Sequence, residues 1–169
     1  GFDKIIIVNG HGGNNAFLAY FGMAQLSEKR NYSLYWFRPA YDREVIKKAV
    51  EMTQNDPYDQ HAGNRETSMV KAIVPDLVHT ERAGLQSGVD LDRINNLKNV
   101  YTGIWWYASY PNHYSGDGSK ANAEAGELIL NSVVDQFVET IRAIKADNNV
   151  PELQERFFIE AENPLETEQ

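Results

Sequence analysis

A short apolar run that leads into a glycine-rich turn constrains the fold of this chain more than any other feature. Residues 4–8 read KIIIV and are followed by NGHGGNN and a helical pattern over 16–29. A strand that is apolar on both faces is typical of a buried parallel sheet, since helices cover both faces of such sheets. Aromatic residues over 33–37 predict a second strand. The sequence therefore predicts a β-α-β unit and an α/β fold, with ligand loops at the carboxyl ends of the strands.

Helices are predicted over much of the remaining chain. The predicted segments are a helix at 42–53, a turn at Asn55-Asp56-Pro57, a helix that follows 61–68 and ends before Pro75, a surface loop at 78–100 with a short helix near 91–97, and an amphipathic helix at 120–147. The last helix has a core-facing stripe of Leu128, Val134, Phe137, Val138, Ile141 and Ile144. We assign residues 1–150 to one globular domain. Residues 151–169 are predicted to be an acidic tail that packs loosely or contacts another subunit.

Composition excludes several classes of function. The net charge of -8 repels phosphate backbones and anionic membranes, so neither nucleic acid nor a membrane is an expected partner. The longest apolar run is too short to span a bilayer, and the chain opens without a signal-peptide pattern. There is no cysteine, which fits a cytoplasmic protein and means that any metal ion must be bound by nitrogen and oxygen ligands.

The first candidate site is the turn at 9–14, in which glycines let the backbone approach a ligand while His11 projects from the strand end. A plain strand-to-helix turn with a capping Asn14 is the structural alternative. Gly-rich turns of this kind also bind phosphate. However, this turn lacks the Lys-Ser/Thr ending of a P-loop and the glycine spacing of a dinucleotide-binding fingerprint.

The second candidate site is His61 with Glu66 five residues later, placed where a loop enters a helix. A neutral imidazole and a carboxylate suit either metal ligation or proton transfer. The structural alternative is ordinary helix capping, with Asn64 as the N-cap and Glu66 favoured at the positive end of the helix.

Taken together, these motifs resemble those of the creatininase (creatinine amidohydrolase) family. The resemblance rests on NGHGGN at 9–14, HAGNRETS at 61–68, and a Gly116-Asp117 turn followed by Ala121, Glu124 and Gly126. It implies a three-layer α/β/α sandwich around a largely parallel sheet, with two metal ions, zinc or manganese, at the strand ends. By the resemblance His11 and Glu66 are metal ligands, and His61 and Glu66 are the catalytic residues, with His61 as the acid/base. Creatinine-hydrolysing members have a Glu where this chain has Gly13, which weakens creatinine as the substrate.

The resemblance also implies parts that this sequence does not contain. The family's remaining ligands, a Glu-x-His pair and a bridging Asp, belong to an N-terminal segment, so we expect the chain by itself to be inactive. The resemblance further implies a homo-oligomer, often a hexamer.

An aromatic cluster precedes the Gly116-Asp117 turn and is a candidate substrate pocket. The cluster consists of Trp105, Trp106, Tyr107 and Tyr110, with Asn112, His113 and Tyr114. The residues assigned to the pocket are Trp105, Trp106, Tyr107 and His113, with Asn14 from the first motif. Aromatic rings with a few polar tips suit a small polar ring such as a cyclitol or heterocycle. The structural alternative is that these rings fill the core or a subunit interface.

Several functions remain open. The leading hypothesis is a metal-dependent hydrolase of a small cyclic amide or related ring. Within the same family, the alternatives are a hydrolase that opens a keto-inositol ring and a formamide deformylase. A non-catalytic binding or assembly module that keeps the fold is an alternative of another class, and a nucleotide-binding protein is disfavoured by the missing fingerprint.

Overall fold

The computed structural model describes residues 1–54 and 59–167, which fall into two compact units. The first unit comprises Gly1–Ala40 and Val134–Gln169, and the second comprises Tyr41–Val133. The elements are β1 (Lys4–Val8), α1 (Asn15–Ala24), β2 (Ser33–Phe37), α2 (Arg43–Met52), α3 (Asn64–Ile73), α4 (Trp105–Ser109), α5 (Ala123–Ala146) and α6 (Asn149–Glu160). The predicted turn at Asn55-Asp56-Pro57 lies outside the described residues.

The first unit contains the predicted β-α-β arrangement. Strands β1 and β2 pair in parallel with Lys4 opposite Ser33 and Val8 opposite Phe37, and α1 lies between them in the chain. The parallel pair with its helices confirms the α/β fold class. Helix α1 stops at Ala24, five residues earlier than predicted, and Gln25–Ser27 form a 3-10 turn. The Gln25 side chain bonds the carbonyl oxygen of residue 21 and the hydroxyl of residue 32, which holds this tightened end.

The end of the chain is more ordered than we predicted. Residues 149–160 form α6, whose first amides at Asn149 and Val150 are bonded by the Asp147 carboxylate. The Gln154 side chain donates to the backbone oxygen of Tyr32 at 3.0 Å, within the same unit. The segment from 151 onward is therefore held by polar contacts and, contrary to our prediction, does not pack loosely. The subunit contact and the domain boundary at 150 stay predictions.

The core of the second unit lies where α2 and α3 meet the first half of α5. Asp42 caps α2 by accepting the amides of residues 44 and 45, and Ala49, Ala125 and Ile129 are the buried centre of the core. Helix α3 ends before Pro75, as predicted, because the residue before a proline is disfavoured in helical geometry.

The predicted core-facing stripe of the long helix is partly wrong. The fully buried residue is Ile129, which lies next to Leu128, while Val134 and Val138 are 55% and 38% exposed. Phe137 does face inward, since its ring lies 4.9 Å from that of Phe37 in the first unit. Val134 and Val138 each lie one residue after an inward-facing position, which turns their side chains about 100° around the helix axis. Because both are apolar, the hydrophobic pattern alone did not exclude them from the core-facing stripe.

The short helix predicted near 91–97 is also wrong. Residues 91–97 form turns, and a 3-10 helix at Thr80–Leu85 precedes them. The Asp90 carboxylate accepts the amide of Asp92, and the Asp92 carboxylate bonds the side chain of Asn95. Such local side-chain bonds compete with helix formation. None of the described helices is both long enough and apolar enough to cross a membrane.

Candidate active site

The turn that follows β1 is held by one buried amide side chain. Asn9 is 6% exposed, its Oδ1 accepts the backbone N–H of His11 at 3.1 Å and the Asn14 amide at 3.2 Å, and its Nδ2 donates to Asn15 at 2.8 Å. Asn14 occupies the N-cap position of α1 but makes no side-chain cap bond there. The predicted capping role of Asn14 is therefore replaced by a bond to Asn9, which fixes the shape of the turn.

The His11 ring lies directly over the glycines of this turn. Its Nδ1 accepts the Gly13 backbone N–H at 3.2 Å. A Cβ at Gly13 would lie 2.9 Å from Cε1 and 3.0 Å from Nδ1 of His11. Any larger residue at 13 would push the imidazole aside, so the glycine and the position of His11 depend on each other.

His61 is held in the second unit by its backbone. An isolated antiparallel bridge joins it to Ser115, with His61 N–H donating at 2.8 Å and Ser115 N–H donating back at 3.0 Å. Ser115 is 2% exposed, so the bridge is shielded from water. This bridge brings the HAGNRETS motif to the Gly116-Asp117 turn, two segments that are separate in the sequence.

Glu66 bonds the backbone just after His61. Its Oε2 accepts the Ala62 N–H at 2.8 Å, and the Thr67 hydroxyl donates to the Ala62 carbonyl oxygen at 2.9 Å. Ala62 needs this support because its φ of 53° is unfavourable for a residue with a side chain. The N-cap of α3 is Gly63, so the predicted capping by Asn64 is wrong, and Glu66 performs the capping from within the helix.

Glu66 also lies beside the His61 ring. Its Oε2 is 3.6 Å from His61 Nδ1, and both side chains are about one-third exposed, at 36% and 30%. The five-residue spacing predicted that the two side chains lie close together, and the structure shows this proximity. The pair is open to solvent on one side, as a site that exchanges a small ligand must be.

Two of the predicted pocket residues, Trp106 and His113, lie beside His61. The Trp106 ring meets the His61 ring edge to face at 5.5 Å between centroids, and the His113 ring lies 6.5 Å from it. The Trp106 indole N–H donates to His113 Nδ1 at 3.0 Å. Tyr110, whose ring is 4.8 Å from that of Trp106, supports this group from the buried side. We call His61, Glu66, Trp106 and His113 the histidine cluster.

The other predicted pocket residues are placed differently. Tyr107 lies under the Arg93 guanidinium, 5.4 Å from ring centroid to cation, and Arg93 also bonds the backbone oxygens of residues 107 and 108. Trp105 contacts the cluster through an edge contact with Trp106, at 5.2 Å between the ring centroids. His11 and Asn14 belong to the first unit and form their own group.

Tyr114 and Asp117 lie near the cluster; the sequence placed Tyr114 in the aromatic cluster and Asp117 in the following turn, but neither was assigned as a site residue. The Tyr114 hydroxyl accepts the Gly118 N–H at 2.9 Å, and its ring lines a groove of about 470 Å³ beside Glu66. The Asp117 carboxylate accepts the Ser119 N–H at 2.8 Å, and this bond holds its pKa below the ordinary value. Their position after the aromatic run was the available signal, but the groove depends on a contact between distant segments.

Comparison with known proteins identifies the family. The family described as Creatininase, creatinine amidohydrolase, matches residues 1–141. The chain belongs to the creatininase family. The matched range includes both histidine motifs and the Gly116-Asp117 turn, and it ends before α6.

Two solved structures share the creatininase-like fold. One is a Bacteroides fragilis protein assigned as a creatinine amidohydrolase, with a TM-score of 0.63, 21% identity and 88% of this chain covered. The other is a creatininase with a single tryptophan-to-alanine substitution, with a TM-score of 0.56, 22% identity and 84% covered. This chain spans 56% of the length of each. No curated protein matches the chain.

The described residues do not by themselves fit a metal centre of the kind expected for this family. Among residues 1–54 and 59–167, no three or more His, Cys, Asp or Glu side chains are grouped so that they could hold a metal ion. His61 and Glu66 form a group of two. Structural and catalytic zinc sites usually take at least three protein ligands, so the chemistry of this donor set alone is insufficient.

Proposed function

We propose that this chain belongs to a hydrolase that opens a small cyclic amide or a related ring, and that the reaction takes place at His61 and Glu66. The observation that carries this proposal is the 3.6 Å approach of Glu66 Oε2 to His61 Nδ1, in a motif that lies inside the region matched to the creatininase family. A solvent-accessible imidazole beside a carboxylate is a common arrangement for proton transfer.

His61 is the group that moves the proton in the proposed reaction. A water molecule attacks the carbonyl carbon of the ring, His61 takes the proton from that water, and the ring nitrogen receives it as the C–N bond breaks. The products are a carboxylic acid and an amine in one open chain, and at neutral pH the acid proton passes to the amine to give a carboxylate and an ammonium group. Glu66 orients the imidazole, while the bond from Ala62 N–H fixes the carboxylate in turn.

Metal dependence is the second part of the proposal. Zinc or manganese, two ions per complete site, suits a donor set of imidazole and carboxylate without thiolates. Such an ion polarises a carbonyl group and activates water when bound. We propose His11 and Glu66 as ligands, each to be tested by its own variant, and further ligands from residues outside this chain.

The substrate remains a choice among related compounds. A keto-inositol ring and a formamide are the alternatives to a cyclic amide. We also propose that the small-molecule substrate is bound by a homo-oligomer, with a hexamer as the first candidate, whose mass can be measured by light scattering.

A non-catalytic binding or assembly module is the competing function. The incomplete ligand set among the described residues favours this alternative. Metal content separates the two functions, because a module that only binds a partner needs no ion at this motif.

The decisive experiment compares matched histidine-carboxylate pairs in the complete protein. His79 Nδ1 and Glu81 Oε1 are 3.1 Å apart but more exposed than His61 and Glu66, so His79→Gln and Glu81→Gln are the controls. We expect His61→Gln to lower kcat by about 10²- to 10⁴-fold and to retain metal. Glu66→Gln and His11→Ala are expected to lower metal content measured by elemental analysis, and both controls to behave like wild type.

Two results would contradict this proposal. If His61→Gln hydrolyses cyclic amides, formamides and keto-cyclitols as fast as the His79→Gln control, His61 does not move the proton. If the folded complete protein contains no metal and hydrolyses none of these compounds, the non-catalytic binding module becomes the better-supported function.

A further inference from the structure

The hydrogen bond between Trp106 and His113 determines which nitrogen of His113 carries its proton. An indole N–H is a donor only, so His113 Nδ1, 3.0 Å away, must be the acceptor. A neutral imidazole with an accepting Nδ1 carries its hydrogen on Nε2. The second nitrogen of His113 is therefore a hydrogen-bond donor, and no hydrogen bond to it is found within the described part of the chain.

The backbone of His113 is held in an unfavourable conformation at this point. Its φ is 59°, a value that costs energy for any residue with a side chain. Its own N–H bonds the Tyr110 carbonyl oxygen at 3.0 Å, which closes a turn after α4. His113 is exposed, so burial of its ring does not account for this conformation. The conformation instead places the ring against Trp106 and 6.5 Å from His61.

We propose that His113 donates a hydrogen bond from Nε2 to the carbonyl oxygen of the substrate, and that Trp106 is a positioning residue that sets the required tautomer. This inference rests on the proposed function and deepens it. With ring centroids 6.5 Å apart, a small ring that contacts His61 also lies within reach of His113.

The consequence is a preference for substrates with a strong acceptor oxygen. A polar group that is built to bond a substrate atom discriminates against an analogue that lacks that atom. Two compounds that differ only in this atom are 2-pyrrolidinone and its thio analogue, in which a sulfur replaces the oxygen and accepts hydrogen bonds poorly. His113 should therefore contribute to binding of the first compound and hardly to binding of the second.

The tautomer is measured directly by NMR on complete protein with ¹⁵N-labelled histidine, with the His113 signals assigned from their loss in His113→Gln. We expect wild-type His113 to be protonated at Nε2, and Trp106→Phe to shift the population toward Nδ1. Trp36→Phe is the matched control, because its buried indole nitrogen has no hydrogen-bond partner among the described residues. A wild-type ring protonated mainly at Nδ1, or a tautomer unaffected by Trp106→Phe, would overturn the proposal.

The substrate contact is measured by KM and kcat with the two compounds, or by Kd from titration if neither is hydrolysed. His113→Phe should raise KM or Kd for 2-pyrrolidinone by about five- to tenfold and leave the thio analogue within twofold. His113→Gln, which keeps an N–H donor, should recover most of this loss, and the control Trp36→Phe should bind both compounds like wild type.

Failure of this inference differs from failure of the proposed function. If hydrolysis depends on His61 but both compounds bind His113→Phe as they bind wild type, the His113 contact is refuted and the function stands. If no compound is hydrolysed, the Kd ratio of the two compounds still decides the role of His113, because it requires only binding. Equal Kd values for wild type and His113→Phe would then refute it as well.

Discussion

Gly126 of α5 lies against the backbone of α3 at Ser68 and Met69, and replacing it by alanine is the sharpest test of how the second unit is built. A Cβ at this position would lie 2.0 Å from the carbonyl oxygen of Ser68, 2.3 Å from its carbonyl carbon and 2.7 Å from the Met69 nitrogen. All three atoms are backbone, so no rotation of a side chain can relieve the clash. Ser68 itself is fully buried, so its backbone cannot relieve the clash by moving out into solvent.

The size of the effect follows from this geometry. Ordinary contact needs roughly 3.5 Å, so the two helices must separate by more than about 1 Å, which forfeits a quarter to a half of the dispersion energy across their interface. The separation also stretches the bond from Asn122 N–H to Ser68 Oγ, now 2.9 Å, and opens the core at Ala125 and Ile129. We expect Gly126→Ala to lower the free energy of unfolding by about 3 kcal/mol, the upper end of the usual cost of overpacking.

The assay is urea unfolding followed by circular dichroism, with thermal unfolding as a second measurement. At roughly 2–4 °C per kcal/mol for a chain of this size, the midpoint temperature should fall by about 6–12 °C. Gly22→Ala is the matched control: it also lies in a helix, but a Cβ there meets nothing within 4 Å. The control should stabilise by about 0.5–1 kcal/mol, since alanine is the better helix former. A Gly126→Ala protein as stable as the Gly22→Ala protein would refute the reasoning.

Three further predictions concern stability. Lys4→Met should cost about 1–2 kcal/mol in urea unfolding because the Lys4 ammonium bonds the last carbonyl groups of α5, whereas Lys29→Met, in an exposed ion pair, should cost less than about 0.5. Burial and the bond to Asp147 raise the pKa of Tyr35 to about 12, and that same bond lowers the pKa of Asp147. The Tyr35 contribution should therefore be lost between pH 10 and about 12, and the Asp147 contribution as pH falls below 3.8. Tyr35→Phe should remove the first loss and reduce the second, because the N–H groups of residues 149 and 150 still bond Asp147. His113→Gly should be about 1 kcal/mol more stable than His113→Ala, because both lose the ring and only the alanine keeps the strain at positive φ.

The first half of the fold was predictable because its signals are local. The apolar run at 4–8 and the aromatic run at 33–37 each encode one strand, and the helix between them requires the strands to be parallel. Asp42 and Pro75 likewise mark a helix start and a helix end by chemistry within one turn. None of these features needs a distant partner, so the residues themselves carry the information.

The errors occurred where the outcome depends on distant contacts. The Asp147 carboxylate bonds the first N–H groups of α6, but the helix is also held by Gln154, which bonds Tyr32 more than a hundred residues earlier. Val134 and Val138 are as apolar as Phe137, and only the position of β2 decides that Phe137 faces inward. Local hydrophobicity cannot distinguish these cases.

The candidate site was predictable to the same extent. The five-residue spacing of His61 and Glu66 predicted their proximity, and the structure confirms it. The aromatic run predicted Trp106 and His113 as neighbours of a ligand, but not their hydrogen bond, because that bond depends on the positive φ of His113. Nor could the sequence show that Ser115 pairs with His61 across an isolated bridge.

From the sequence, helix capping and catalysis were alternative roles for Glu66. In the structure the same carboxylate oxygen caps the helix and lies beside His61, so the two roles are compatible. The carboxylate accepts the N–H of Ala62, whose φ of 53° would otherwise be difficult to maintain, and that conformation places His61 immediately before the turn and beside the same carboxylate. Glutamine at this position keeps the accepting oxygen and loses only the charge, whereas alanine loses both. Glu66→Gln should therefore keep the position of His61 and change its chemistry, which is why the glutamine variant tests function and the alanine variant tests the fold.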